Sequence, residues 1–275
     1  MNRKPFSLDY DFGTLHSKIN QGFQSDFGPG EFPVKPRDKL IRGIVAPCHD
    51  YDSSSPAMAW AYKEIAEAGL ADVYVILGSC LTGLNTYLFG NWDTPLGAMP
   101  VDVTLGRELV KRFPLLKNDA RPFLEDVTIE KQLPFLQFAK RDSLRQLHFL
   151  PLLVGSDVRY EHLVAFARIF PSLGKKLTFI CSGNLTSYER KTTITPFTHG
   201  IRENIRLSDE KLIEHLVHLD AQGFFIAARR KIPSPHVFIL MIELMKACGV
   251  EEGSLLHYYT SGELKEDRAL SVGMG

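Results

Sequence analysis

The run LIRGIVAPCHDYDSSSPAMAWAYKEIAEAGLADVYVILG, Leu40 to Gly78, decides the fold. Leu40 to Pro47 (LIRGIVAP) carries aliphatic and β-branched residues up to a proline and reads as a strand. From Ser54 to Gly69 the period changes. Ala57, Trp60, Ala61, Ile65 and Ala68 recur at three- and four-residue steps and Gly69 is a stop signal, so this stretch reads as a helix. Asp72 to Gly78 (DVYVILG) is apolar on both faces, as a strand buried in a parallel sheet must be. Strand, helix, strand in this span is the unit from which parallel sheets are assembled.

The same alternation continues along the chain. Leu147–Val154 (LHFLPLLV) and Lys176–Cys181 (KLTFIC) repeat the strand pattern. Helices are expected over Leu105–Phe113, Thr128–Arg141, Arg159–Phe170, about Ser208–Arg230, and Pro235–Cys248. Leu255–Thr260 and Leu270–Gly273 read as closing strands. Asp26–Arg37 is rich in Gly and Pro and reads as a surface loop, and Lys191–Arg206 as another. The expected fold class is α/β, a single-domain sandwich of helices around a mainly parallel or mixed β-sheet. The domain spans residues 1–275, with 1–40 supplying an N-terminal helix and the Gly/Pro loop.

Composition narrows the function classes. The 275 residues are 44% hydrophobic and 23% charged, in the range of globular proteins rather than disordered ones. Thirty-two basic residues balance thirty-two acidic ones, so there is no positive field to hold nucleic acid or an anionic membrane. Val237–Met245, interrupted by Glu243, is far short of the roughly 20 apolar residues of a membrane span. Met1–Phe12 lacks the apolar core of a secretory signal, and four cysteines are too few for a disulfide scaffold. A cytoplasmic protein with reduced thiols is expected.

Ligands of open α/β sheets bind beyond the carboxyl ends of strands, and three such ends carry cysteine. The first strand runs into Cys48-His49-Asp50-Tyr51, the second into Ser79-Cys80, and a later one into Cys181-Ser182. If these strands are neighbours, Cys48, His49, Cys80 and Cys181 form a candidate site for zinc, iron or copper, which take thiolate and imidazole. No C-x-x-C pair is present, and cysteine at strand ends also serves as a small buried hydrophobe. Asp126 and Glu130, four apart, are candidates for paired carboxylates on one helix face. Neither a P-loop nor a dinucleotide fingerprint occurs.

Seven blocks stand in order along the chain: Ala46-Pro47-x-x-x-Tyr51, Ala59-Trp60-Ala61-Tyr62-Lys63, Leu77-Gly78-Ser79, Ile129-Glu130-x-x-Leu133-Pro134, Leu150-Pro151-x-Leu153-Val154-Gly155, Cys181-Ser182 and Ser271-Val272-Gly273. Together they resemble the Memo family, whose fold is related to that of the class III extradiol dioxygenases. The resemblance implies an α/β sandwich with a metal or substrate pocket at one sheet edge. The family's site residues do not carry over. Where the family reads Ala-Pro-His-Ala-Gly-Tyr, this chain has Cys48 in place of the histidine, with His49 one step along. Other family histidines fall on Leu81, Val127, Gln132 and Thr186, while Glu130 remains. The Asp of the family's Ser-Asp pattern falls on Gly183, and Lys231–Pro235 has no cysteine where the family has one.

Without those histidines an Fe(II) site and a base for catechol are missing, so ordinary extradiol dioxygenase chemistry is not expected. Two readings follow. In one, a degenerate pocket leaves a non-catalytic binding or assembly protein. In the other, Cys48, His49, Cys80 and Cys181 rebuild a metal or redox site holding one Zn, Fe or Cu ion. Pocket candidates under either reading are Cys48, His49, Asp50, Tyr51, Ser79, Cys80, Glu130, Cys181 and Ser182.

Overall fold

A computed structural model describes residues 2–30, 37, 39–188, 197–265 and 271–274. Eleven strands are present among them: β1 Gly43–Ala46, β2 Val73–Cys80, β3 Leu84–Thr86, β4 Trp92–Thr94, β5 Gly97–Met99, β6 Leu116–Asn118, β7 Phe149–Gly155, β8 Leu177–Ser182, β9 Ser187–Tyr188, β10 Tyr259–Thr260 and β11 Ser271–Met274. The helices are α1 Phe12–Gln24, α2 Tyr51–Glu67, α3 Val103–Arg112, α4 Gln132–Ala139, α5 Tyr160–Ala167, α6 Ile201–Val217, α7 Ala221–Ala227, α8 His236–Ala247 and α9 Ser261–Lys265.

Six strands form the central sheet in the order β1-β8-β2-β7-β3-β6. Four of the strands expected from sequence, β1, β8, β2 and β7, run parallel to one another; β3 is antiparallel to β7 and pairs β6 in parallel, which makes the sheet mainly parallel rather than wholly so. Helices cover both faces. A Cβ on Gly43 would strike Met241 and Met245 of α8, whereas one on Gly78 would strike Thr128 and Ile129, just ahead of α4. The register runs Gly43↔Phe179 and Phe179↔Val75, so Gly43, Phe179 and Val75 share the α8 face. Gly78, three residues past Val75, falls on the opposite face by strand alternation. The α/β sandwich expectation is borne out. No helix among the described residues is long and apolar enough to cross a membrane.

Several boundaries differ from the sequence reading, each for a local reason. Helix α2 begins at Tyr51 rather than Ser54 because the Asp50 carboxylate accepts the Ser53 N–H at 2.9 Å as an N-cap. The helix expected from Thr128 begins at Gln132. Pro134 has no N–H to give the Glu130 carbonyl, and the Asp126 carboxylate binds the N–H groups of Thr128 and Ile129 instead. Arg159–Phe170 is helical from Tyr160 and tightens into a 3-10 turn at Phe170–Leu173. The long helix expected over Ser208–Arg230 is two helices, α6 and α7. Leu219 breaks it with φ +52°, and Asp220 caps Gly223. Helix α6 starts at Ile201, so residues 201–206 are not loop; residues 191–196 lie outside the described residues, as do 31–36 of the Gly/Pro loop. Of Leu255–Thr260 only Tyr259–Thr260 pairs, with β11. Gly253 N–H binds the Val217 carbonyl and the Tyr258 hydroxyl binds Asp209, which tie that stretch to α6 instead.

Candidate functional site

The carboxyl ends of β1, β8, β2 and β7 open on one edge, and the strand register decides which candidates meet there. Val45 and Leu77 both pair with Cys181, so that thiol sits on the α8 face, buried. Ser182 follows on the other face. Cys80 lies three residues beyond Leu77, which places it about 10 Å farther along the strand direction at roughly 3.3 Å per residue, and on the opposite face. Cys80 therefore does not join Cys181, whereas Cys48 lies near enough to Cys181 to raise its pKa.

What does meet is Cys48, Ser182 and Gln132. The Gln132 Nε2 donates to the Pro47 carbonyl and to Ser182 Oγ, each at 2.9 Å. Ser182 Oγ donates in turn to the Thr128 carbonyl at 2.6 Å, and Tyr62 O–H donates to Gln132 Oε1 at 3.0 Å. Cys48 N–H donates to Asn184 Oδ1 at 2.9 Å, and Lys131 Nζ lies 3.4 Å from the Cys48 carbonyl. Tyr51 O–H donates to the Lys131 carbonyl at 2.8 Å, so Tyr51 helps to hold this network. Gln132, set aside in the sequence as a lost histidine, is its hub. Its position two residues before a buried Pro-Phe-Leu run gave no signal of that, because the partners come from the end of β1, from β8 and from α2.

Electrostatics oppose thiolate formation. Burial pushes the Cys48 thiol up to about 11, against the smaller lowering effects of Lys131 and Ser182. Burial also holds Cys181 well above the ordinary thiol range, with Cys48 adding to it. Cys80 is half-buried and raised for the same reason; its Sγ lies 3.3 Å from the Thr82 carbonyl and 3.7 Å from Asn85 Nδ2. Thiols held protonated are poor nucleophiles and poor metal ligands.

His49 and Asp50 stand apart from the thiols, their side chains 38% and 40% exposed and joined through Nδ1 and Oδ2. Asp50 also caps α2, a role that an Asp ahead of a helix signals in sequence. Glu130 faces inward. Its carboxylate pairs with Arg3 Nη1 at 2.6 Å and accepts the N–H groups of Phe6, Ser7 and Leu8. Asp126 is likewise spent on Thr128 and Ile129. The two carboxylates share no helix face: Asp126 closes a local turn, while Glu130 anchors the N-terminal segment.

Ser79 and Cys80 line a cleft of about 590 Å³ with Thr82, Arg121, Leu124 and Thr128. Leu81 is 88% exposed at its rim. Among the described residues no three His, Cys, Asp or Glu side chains are grouped so as to hold a metal ion. The donor set of Cys48, His49, Cys80 and Cys181 thus does not fit a bound metal in this arrangement.

Comparison with known proteins places this geometry. The family model for Memo-like proteins matches residues 10–275. A MEMO1 family protein of Methanopyrus kandleri is 31% identical over 270 residues, covering 94% of this chain and 90% of the relative. One from Desulfurococcus amylolyticus is 29% identical, covering 98% and 96%. The crystal structure of an uncharacterised Escherichia coli K12 protein covers 80% of this chain and 92% of its own at 15% identity, with a TM-score of 0.47, a loose likeness. The mainly parallel six-stranded sheet between helices is that of a Memo, class III extradiol dioxygenase-like fold. The chain belongs to the Memo family.

Proposed function

We propose that this chain, as one cytoplasmic domain over residues 1–275, is a non-catalytic binding or assembly member of the Memo family. The observation that carries the reading is the Gln132 network. At the strand edge the polar groups of Pro47, Ser182 and Tyr62 are bound to one another through the neutral amide of Gln132. A neutral amide in that place holds strands together and takes no proton at neutral pH. The cleft beside Cys80, mixed in polarity, is then a place for a ligand to be held rather than converted.

The competing reading, a rebuilt Cys/His centre, is favoured by one observation: Cys48 lies near enough to Cys181 to raise the Cys181 pKa. Elemental analysis of protein purified anaerobically without chelator decides between them, with a Cys48→Ala/Cys80→Ala variant as control. Absence of metal in both proteins, with flat zinc and copper titrations, is the expected result. Near-stoichiometric Zn, Fe or Cu that disappears in the variant would overturn the binding-protein reading.

A further inference from the structure

A second cavity, of about 500 Å³, lies beside the edge strand β1 and away from the strand-end cleft. Its walls come from β1, α2, α6, α8 and the stretch 250–257, and they are mainly aliphatic, with Leu216, Met241, Ile242 and Leu255 among them. Trp60 adds an aromatic wall, stacked on His257 at 5.5 Å and 24°. Burial pulls the His257 pKa down, so the imidazole presents a neutral face.

Charge at the cavity is unbalanced in a specific way. Glu64 is held by Lys39 at 2.7 Å, and Glu252 stands at the solvent-exposed rim, its side chain 64% exposed. Arg42, which also lines the cavity, has no hydrogen-bond or ion-pair partner for its guanidinium among the described residues. A guanidinium is a strong fork donor for carboxylate. An apolar cavity of this size with a partnerless cation on its wall matches a molecule with one anionic end and a long apolar body. We infer that this cavity binds an amphipathic monocarboxylate, its carboxylate on Arg42 and its alkyl chain along Leu216, Met241 and Ile242. The site is separate from the strand-end cleft and stands or falls independently of the reading given to that cleft.

Titration with dodecanoate below its micellar concentration tests this, read by calorimetry and by Trp60 fluorescence, since Trp92 is fully buried elsewhere. Saturable one-to-one binding is expected. Decanoate, two methylenes shorter, should bind roughly tenfold more weakly. Arg42→Gln should weaken dodecanoate at least about tenfold while leaving dodecanol unchanged. Leu216→Trp, filling the cavity, should abolish both, with a thermal melt to confirm folding; if it does not fold, Arg42→Gln alone carries the test. Non-saturable binding, equal affinity for dodecanol and dodecanoate, or no effect of Arg42→Gln would overturn the inference. So would a peptide carried through purification and seen by native mass spectrometry with dodecanoate inert. Arg42 and Ala46 carbonyls accept bonds from the β8 side, so Gly43 and Val45 turn their backbone groups outward, and such a peptide would occupy that open edge.

Discussion

Replacing Glu130 with Ala removes the acceptor of five hydrogen bonds at once. Arg3 Nη1 (2.6 Å), Phe6 N (2.8 Å), Ser7 N (2.7 Å), Ser7 Oγ (2.9 Å) and Leu8 N (3.1 Å) all end on its carboxylate. The Arg3 and Glu130 side chains are 3% and 1% exposed, so the deletion strands a buried guanidinium. Arg3 keeps the Phe123 and Asp126 carbonyls and its place 4.0 Å over Trp92, which stabilise its position but do not neutralise it. Breaking one side of such a pair costs about 3–5 kcal/mol. Arg3→Ala leaves Glu130 with its backbone donors and should cost less, about 2–3 kcal/mol, and the double variant should cost far less than the sum. Urea unfolding followed by Trp fluorescence measures all three, and proteolysis near residues 1–8 should accelerate in each. A Glu130→Ala cost below about 1 kcal/mol, or strict additivity with Arg3→Ala, would refute the clasp and return Glu130 to the pool of candidate ligand-binding groups.

Other outcomes follow from the same geometry. Burial lifts the Asp209 carboxyl from 3.8 to about 6, so the folded state keeps a proton that the unfolded chain has released. Stability should therefore fall as pH rises from about 4 to 6, by up to about 3 kcal/mol, and Asp209→Asn should flatten that slope in pH-dependent melts; an unchanged slope would count against it. Gln132→Leu leaves the Pro47 carbonyl, Ser182 and Tyr62 without their shared partner and should cost about 2–4 kcal/mol in urea unfolding. Gly78→Ala puts a Cβ 2.3 Å from Thr128 Oγ1 and 2.9 Å from Ile129 and Leu153 side-chain carbons, which should lower stability by about 1–3 kcal/mol. In thiol labelling at pH 7.5, buried Cys181 should react only after denaturant is added, and half-buried Cys48, its thiol raised, should react slowly; fast native labelling of Cys48 would mean that its thiol is not raised.

Sequence by itself determined the βαβ start, the two later buried strands and the family. These are local properties: hydrophobic period and residue identity in order along the chain are preserved when the chain folds. Helix limits were half legible, because caps such as Asp50 carry a sequence signature, whereas a left-handed Leu219 does not. Which site residues meet was decided only by tertiary structure. A strand's neighbours and its register are set by long-range pairing, and a three-residue offset sends Cys80 to the opposite face from Cys181, about 10 Å along. Pairing of the same kind turned Glu130 from a pocket candidate into the anchor of the N-terminal segment, since Arg3 is 127 residues away in the chain and 2.6 Å away in space.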